Sequence, residues 1–147
     1  MAEAQSVTHI LRENGFKVTP QRLAVYEALA STYSHPNAEM LYQMLQPNYP
    51  TMSLATVYKT MDIFAGLGLV QVLNVGEDSF RYDAETMSHP HIRCVSCNRV
   101  DDVFDVQDEA LIKSVTEKSG YHLTGRQLYF FGRCPECQKK FGKLETH

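Results

Sequence analysis

The sequence contains no apolar run near the ~18–20 residues needed to cross a bilayer, because glycine, proline or polar residues interrupt every uncharged stretch. No membrane partner is therefore expected. Its start, MAEAQSVTHILRENG, has neither a basic n-region nor an apolar h-region, so no secretory signal is expected and the cytoplasm is the expected location. An excess of positive charge is also missing: 14 Lys and Arg stand against 17 Asp and Glu, a net charge of -3. Taken alone, that balance argues against a nucleic-acid binder, since such domains usually show a basic footprint. The chain has no Gly-rich phosphate loop, no nucleophile elbow and no HExxH signature, so no enzyme is expected. Repeats and low-complexity segments are absent too. What remains is 147 residues, 44% of them hydrophobic, enough for one or two small packed domains and too apolar for wholesale disorder.

Cysteine is scarce but ordered. Cys94-Val-Ser-Cys97 and Cys134-Pro-Glu-Cys137 use all four cysteines of the chain and leave none spare. Disulfides are rare in a reducing cytosol, so metal binding is the better reading. Two thiolates of a CxxC knuckle reach one ion at about 2.3 Å, and two knuckles close a tetrahedron around zinc with no open position. Such a zinc ion is structural. The pairs lie further apart than in a compact zinc ribbon, so folded chain must run between them and bring them together. A redox CxxC or buried free thiols are the alternatives, although a thioredoxin-like motif requires a strand–helix setting.

The N-terminal half shows helical punctuation. Ala4, Val7, Ile10 and Leu11 have helical spacing and Gly15 follows. Thr19-Pro20 is an N-cap followed by proline at the first helical position, ahead of Leu23, Val25, Tyr26, Leu29 and Ala30. His35-Pro36-Asn37 precedes Ala38, Leu41, Tyr42 and Leu45, and Pro47 and Pro50 end that helix. Ser53 caps a fourth helix with Leu54, Val57, Tyr58, Met61, Phe64 and Leu67 as its apolar stripe and Gly66 and Gly68 at its end. Its other face offers Ser53, Thr56, Lys59 and Thr60, which are able to read base edges or phosphates or simply to be solvated. Leu69–Val75 and Ser79–Asp83 flank Gly76-Glu77-Asp78 as a hairpin. Helices followed by such a hairpin describe a winged helix.

Residues 84–147 read as a small α/β unit. His91–Cys94 and Val100–Val106 are strand-like runs around the first knuckle. A helix opens at Asp105 or Gln107 and runs to Lys118 with Ala110, Leu111, Val115 and Ile112 inward, and Gly120 stops it. Tyr121–Arg133 supplies one or two strands before the second knuckle, and the tail Lys139-Lys140-Phe141-Gly142-Lys143 is basic. A metal staple suits a unit this small. The expected architecture is α+β, with a winged-helix domain over residues 1–83 and a zinc-stapled α/β domain over 84–147.

A second constellation has no sulfur. His89-Pro90-His91 stands just before the first knuckle, Asp83 ends the hairpin, Asp102 follows the knuckle and His35 lies in the first half. Imidazole with carboxylate suits iron, manganese or a similar borderline ion. Alternation along a strand puts His89 and His91 on one side. Singly, His35 could cap a helix and Asp83 or Asp102 could be a surface charge, and the sequence alone does not bring His35 to the others.

The motifs Thr19-Pro20-Gln21-Arg22, His35-Pro36, Ser53-Leu54-Ala55-Thr56-Val57-Tyr58, His89-x-His91-x-x-Cys94-x-x-Cys97 and Cys134-x-x-Cys137 resemble the ferric uptake regulator (Fur) superfamily, in order, from about residue 5 to 140. The resemblance implies a homodimeric bacterial repressor of operator DNA, with an N-terminal winged helix and a C-terminal dimerisation domain. The set His35, Asp83, His89, His91 and Asp102 is most similar to the peroxide-sensing (PerR) branch, where these positions form a regulatory ferrous or manganous site and where His35 and His89 are the residues that peroxide oxidises. Peroxide is then the signal, with no other small-molecule substrate. Iron-sensing members more often carry Glu where this chain has Asp83 and Asp102, and commonly use a further ligand set. At those positions this chain has Ser88, Pro90 and Arg126, with only Glu109 keeping a ligand type. Zinc-sensing members generally place Cys in the regulatory site. Arg22 and Tyr58 join Ser53, Thr56 and Lys59 as candidate DNA contacts. The alternatives are an iron-responsive repressor of the same fold and, from another class, a non-haem metalloenzyme that would leave the winged helix unexplained.

The charge divides unevenly between the halves. Residues 1–83 carry five basic against eight acidic residues, and residues 84–147 carry nine of each. The expected DNA-binding half is therefore the acidic one, so Arg12, Lys17, Arg22 and Lys59 would have to cluster on the DNA face.

Overall fold

A computed structural model describes residues 4–76 and 79–142. Glu77 and Asp78 of the expected hairpin turn and Lys143 of the basic tail lie outside the described residues. The chain divides into two compact units, Met1–Thr86 and Met87–His147. The expected α+β class holds, with helices and small sheets in the order given below.

In the first unit, α1 (Ala4–Glu13), α2 (Pro20–Ala30), α3 (Ala38–Leu45) and α4 (Leu54–Gly66) precede β1 (Gln71–Leu73) and β2 (Arg81–Asp83). The caps follow from side-chain chemistry. Thr19 accepts from the Arg22 amide at 3.1 Å and Ser53 from the Thr56 amide at 3.1 Å, each relieving one orphan donor of a helix start. Asn37 does the same for the Met40 amide at 2.8 Å. Val7, Leu11, Val25, Leu29, Leu41, Val57, Met61 and Phe64 form the solvent-free centre, and the Tyr26 and Phe64 rings meet edge to face at 5.7 Å.

The face of α4 differs from the expected one. Its buried positions are Val57, Thr60, Met61 and Phe64. Tyr58, expected in the apolar stripe, is 42% exposed, whereas Thr60, expected among the outward polar residues, is 2% exposed. The Thr60 hydroxyl donates to the Thr56 carbonyl at 2.7 Å, so its polar atom is satisfied within the helix and its methyl packs as a small apolar group. The hairpin is shorter than its apolar runs: β1 and β2 pair antiparallel over Gln71↔Asp83, Val72↔Tyr82 and Leu73↔Arg81.

In the second unit, β3 (His91–Cys94), β4 (Val100–Asp102), α5 (Glu109–Ser119), β5 (Tyr129–Gly132) and α6 (Pro135–Phe141) follow. The sheet order is β4-β3-β5, with β3 antiparallel to β4 and parallel to β5. A parallel pair requires a long crossover, and the segment containing α5 supplies it. Gly120 ends α5 in the left-handed conformation at φ 71°, which a residue without Cβ adopts freely.

Several details depart from expectation. The strand-like run from Val100 stops at Asp102, and Asp105 takes φ 62°. The helix begins later, at Glu109, and no residue of it is buried: Leu111 is 49% and Val115 43% exposed, although both were expected inward. Tyr121–Arg133 yields a strand only at Tyr129–Gly132. The basic tail contributes to α6, which begins with Pro135 at its first turn and ends with Lys139 and Lys140 in its last.

Phe64→Ala removes a large side chain from the centre of the first unit. It should lower the unfolding free energy by about 3–5 kcal/mol in a urea titration, against ~1 kcal/mol for loss of the Thr19 cap in Thr19→Ala.

Candidate metal centres

The four thiols converge within the second unit. Their sulfur atoms all lie within 4.8 Å of one another, and Cys97 Sγ is 3.8 Å from Cys134 Sγ. A tetrahedral ion bonded to sulfur at about 2.3 Å separates its ligands by about 3.8 Å, so the spacing suits zinc. Local hydrogen bonds build the site. Asn98, at φ 63°, turns the first knuckle, and its amide donates to the Cys94 carbonyl at 2.9 Å while the Cys94 amide donates to Arg99 O at 2.9 Å. The second knuckle reaches the first because β5 runs beside β3, with Cys94 opposite Gly132. Arg99 spans the knuckles to Glu136 at 3.0 Å, and Arg133 donates to Ser96 Oγ at 3.0 Å.

The thiols are not equivalent. The Cys134 amide donates to Cys94 Sγ at 3.3 Å and the Ser96 amide at 3.4 Å, which favours the thiolate and lowers its pKa to about 6 despite burial. Burial, reinforced by the neighbouring sulfurs, pushes Cys137 up to about 12. A metal entering this site must displace the Cys137 proton, so its retention strengthens with rising pH. The redox alternative finds no support in the setting of the first knuckle, which is a turn between two antiparallel strands.

The imidazoles and carboxylates form a cluster in each unit. In the first, His35 Nε2 faces Asp83 Oδ2 at 3.3 Å, with side chains only 2% and 9% exposed. Asp83 ends β2, and its Oδ1 also accepts from the Glu85 amide at 2.9 Å. His35 has φ 53°, a left-handed conformation that costs a non-glycine residue about 1–3 kcal/mol. Such strain persists only where neighbouring structure imposes it.

In the second unit, Asp102 lies directly opposite His91 in the β3–β4 register. Its Oδ1 faces Nε2 of His91 at 3.1 Å and Nε2 of His89 at 2.5 Å. His89 Nδ1 meets the Met87 carbonyl at 2.6 Å, so Nδ1 carries the proton and Nε2 keeps its lone pair in the neutral ring. That lone pair points at a carboxylate. Two imidazole nitrogens that converge on one carboxylate form a donor set that fits a borderline divalent cation. The His89 ring also lies 4.4 Å from that of His91 and 4.8 Å from that of Phe104, a neighbour the sequence did not suggest. Arg126 pairs with Asp108 beside Ser88 and Pro90, so a guanidinium stands at the positions expected to lack a further ligand set.

The candidate DNA contacts take varied positions in the first unit. Ser53, Tyr58 and Lys59 are exposed on α4, and Thr56 is half-buried with its hydroxyl 2.9 Å from that of Ser53. Arg22 is half-buried and donates to the Lys17 carbonyl at 2.7 Å, bracing the α1–α2 loop.

These features define a two-unit α+β protein with a closed four-thiol centre and sulfur-free imidazole–carboxylate clusters. The chain belongs to the ferric uptake regulator family, which it matches over residues 13–131. It is 48% identical to the transcriptional regulator PerR of Clostridium acetobutylicum over 134 residues, 91% of this chain and 97% of that protein. The structure of PerR from Streptococcus pyogenes, described as the basis of its peroxide sensing and gene regulation, is similar at a TM-score of 0.54 and 32% identity, covering 94% of this chain and 95% of that one. The ferric uptake regulator of Helicobacter pylori shares the fold at a TM-score of 0.81 and 23% identity, over 93% and 95% of the two chains.

Cys97→Ser should abolish zinc retention and unfold the second unit, read by metal analysis and circular dichroism. In the unaltered protein a chelator should strip zinc more completely as the pH falls, because protons compete for the same sulfurs.

Proposed function

We propose that the chain is a metal-dependent transcriptional repressor that binds operator DNA as a homodimer and is inactivated by hydrogen peroxide. The observation that carries this reading is the sulfur-free donor set, His35 and Asp83 in one unit and His89, His91 and Asp102 in the other, beside a thiol centre complete enough for structural zinc. The C. acetobutylicum and S. pyogenes proteins named PerR support the same reading. In this proposal the first unit is a winged-helix DNA-binding domain and the second a dimerisation and metal-binding domain, working in the cytoplasm.

His35 and Asp83 from the first unit, with His89, His91 and Asp102 from the second, would hold one ferrous or manganous ion. Residues from both units gripping one ion select one arrangement of the units out of many, by differential affinity. In a dimer that arrangement sets the distance between the two α4 helices, which must match half-sites about one helical turn apart. Ser53, Thr56, Tyr58 and Lys59 on α4, with Arg22, meet the DNA. Ferrous iron held there would catalyse the splitting of peroxide with no net change in its own oxidation state, and manganese would do so far less readily. One ring per peroxide, that of His35 or His89, would be oxidised by two electrons: the O–O bond breaks, one oxygen becomes bonded to a ring carbon whose hydrogen stays in the ring's product, and the other leaves as water. An oxidised ring is a weaker donor, so the grip on the ion fails and the operator is released.

The dimer reading rests on the second unit. Leu111, Val115, Phe130 and Phe131 are 49%, 43%, 48% and 54% exposed, β5 is an edge strand, and α5 buries nothing. An edge strand that carries exposed Phe130 and Phe131, and a helix with an exposed apolar face, suit a second copy of the chain.

With zinc-loaded protein, a duplex selected from its own genomic DNA should shift in a gel with either manganese or ferrous iron. Peroxide should release it only from the iron form, with one oxygen added to peptides containing His35 or His89. Release without oxygen on either peptide would overturn the assignment of the sensing residues. Leu111→Asp combined with Val115→Asp should sediment as a monomer that keeps zinc and no longer shifts the duplex.

A further inference from the structure

We infer that Arg81 is the positioning residue of the His35–Asp83 pair, holding the His35 imidazole against the carboxylate before any metal binds. This rests on the regulatory-site reading above and concerns how one half of that site is built.

His35 is in the left-handed region at φ 53°, and the residue after it is Pro36, which further restricts its backbone. Histidine visits this region more often than most residues, but the proline that follows works against it. It is imposed from 46 residues away: Arg81 Nη1 donates to the His35 carbonyl at 3.1 Å in a buried setting. Two further bonds lie alongside. The Tyr82 amide donates to the Pro36 carbonyl at 3.0 Å, and Asn37 Nδ2 donates to Ser79 Oγ at 3.3 Å. His35 and Pro36 are thus tied to the strand that ends in the second ligand candidate, and Asn37 to Ser79 just ahead of that strand.

Arg81 is 5% exposed on a strand whose three residues are all buried. Arg81 and Asp83 are two apart on that strand and so project from the same face. The guanidinium therefore holds the backbone of one candidate ligand while its own strand presents the other.

A buried positive charge beside a cation site is electrostatically adverse. If Arg81 acted chiefly through its charge, removing it would tighten metal binding. If it acts by geometry, removing it loosens binding, because partners of metal ligands typically contribute tenfold or more to affinity. The two roles predict opposite signs.

The test is a manganese titration of full-length, zinc-loaded protein, with free manganese read by electron paramagnetic resonance. R81Q should bind manganese about tenfold more weakly or worse, with zinc content and melting curve retained. R81K, which keeps the charge and a donor, should lie between R81Q and the unaltered protein. On an H35A background R81Q should cause no further loss, since Arg81 works through His35. Equal or tighter binding by R81Q, or an undiminished loss on the H35A background, overturns the inference. Should R81Q not fold, R81K decides, and binding at or above the unaltered level overturns it. Failure of the unaltered protein to bind manganese overturns the regulatory-site reading and this inference together. Normal binding by both proteins overturns this inference alone.

Discussion

The convergence of four sulfur atoms within 4.8 Å is the constraint on which the second unit depends. Among the described residues of that unit, Cys94, Val100 and Cys137 make up its buried hydrophobic set, with His91 the buried polar residue. That is too little apolar burial to offset the ordering of its chain. Two of those buried positions are themselves thiols. The sheet register that sets Cys94 beside Gly132, and the helix α6 that presents Cys137, are arranged around the centre. Arg99 joins the two knuckles from outside through an exposed ion pair with Glu136, which contributes little alone and chiefly sets geometry, and half-buried Arg133 joins them through a hydrogen bond to Ser96.

The first unit is held differently. Its four helices bury a continuous apolar core and need no metal. What it offers the proposed regulatory site is a strained turn at His35 and a buried carboxylate at Asp83, joined through β2. The net charge fits the same account. The proposed DNA-binding unit is the acidic one through residue 83, five basic residues against eight acidic. Sequence-independent attraction to phosphate would then be weak, and in the proposed mechanism operator affinity would depend on the geometry the ion imposes.

Helix starts were legible wherever one side chain decides them. Thr19, Asn37 and Ser53 cap the helices they precede, because a short polar side chain can reach an orphan amide only there. The CxxC pairs were legible as metal ligands because their chemistry leaves few alternatives. The inward face of α4 was misread at Tyr58 and Thr60, since a threonine that bonds back to its own helix behaves as an apolar residue and no hydropathy pattern records it. The apolar face of α5 was legible as apolar but not as outward. A stripe of Leu and Val says that something must cover it, not whether the cover is this chain. The helix α6 escaped notice because its lysine-rich stretch looks like a tail, although Pro135 at its first turn is the same signal that worked at Pro20.

By itself, the sequence determined the caps, the helical stripes, the thiol pairs and the identity of the candidate donors, all properties of residue type and short spacing. The tertiary structure decided which donors meet. The His35 carbonyl and the Arg81 guanidinium are separated by 46 residues, and His89 meets an Asp102 oxygen 13 residues away because the pairing of β3 with β4 carries that oxygen back. Such meetings follow from packing and register, where a one-residue shift would turn each side chain to the opposite face.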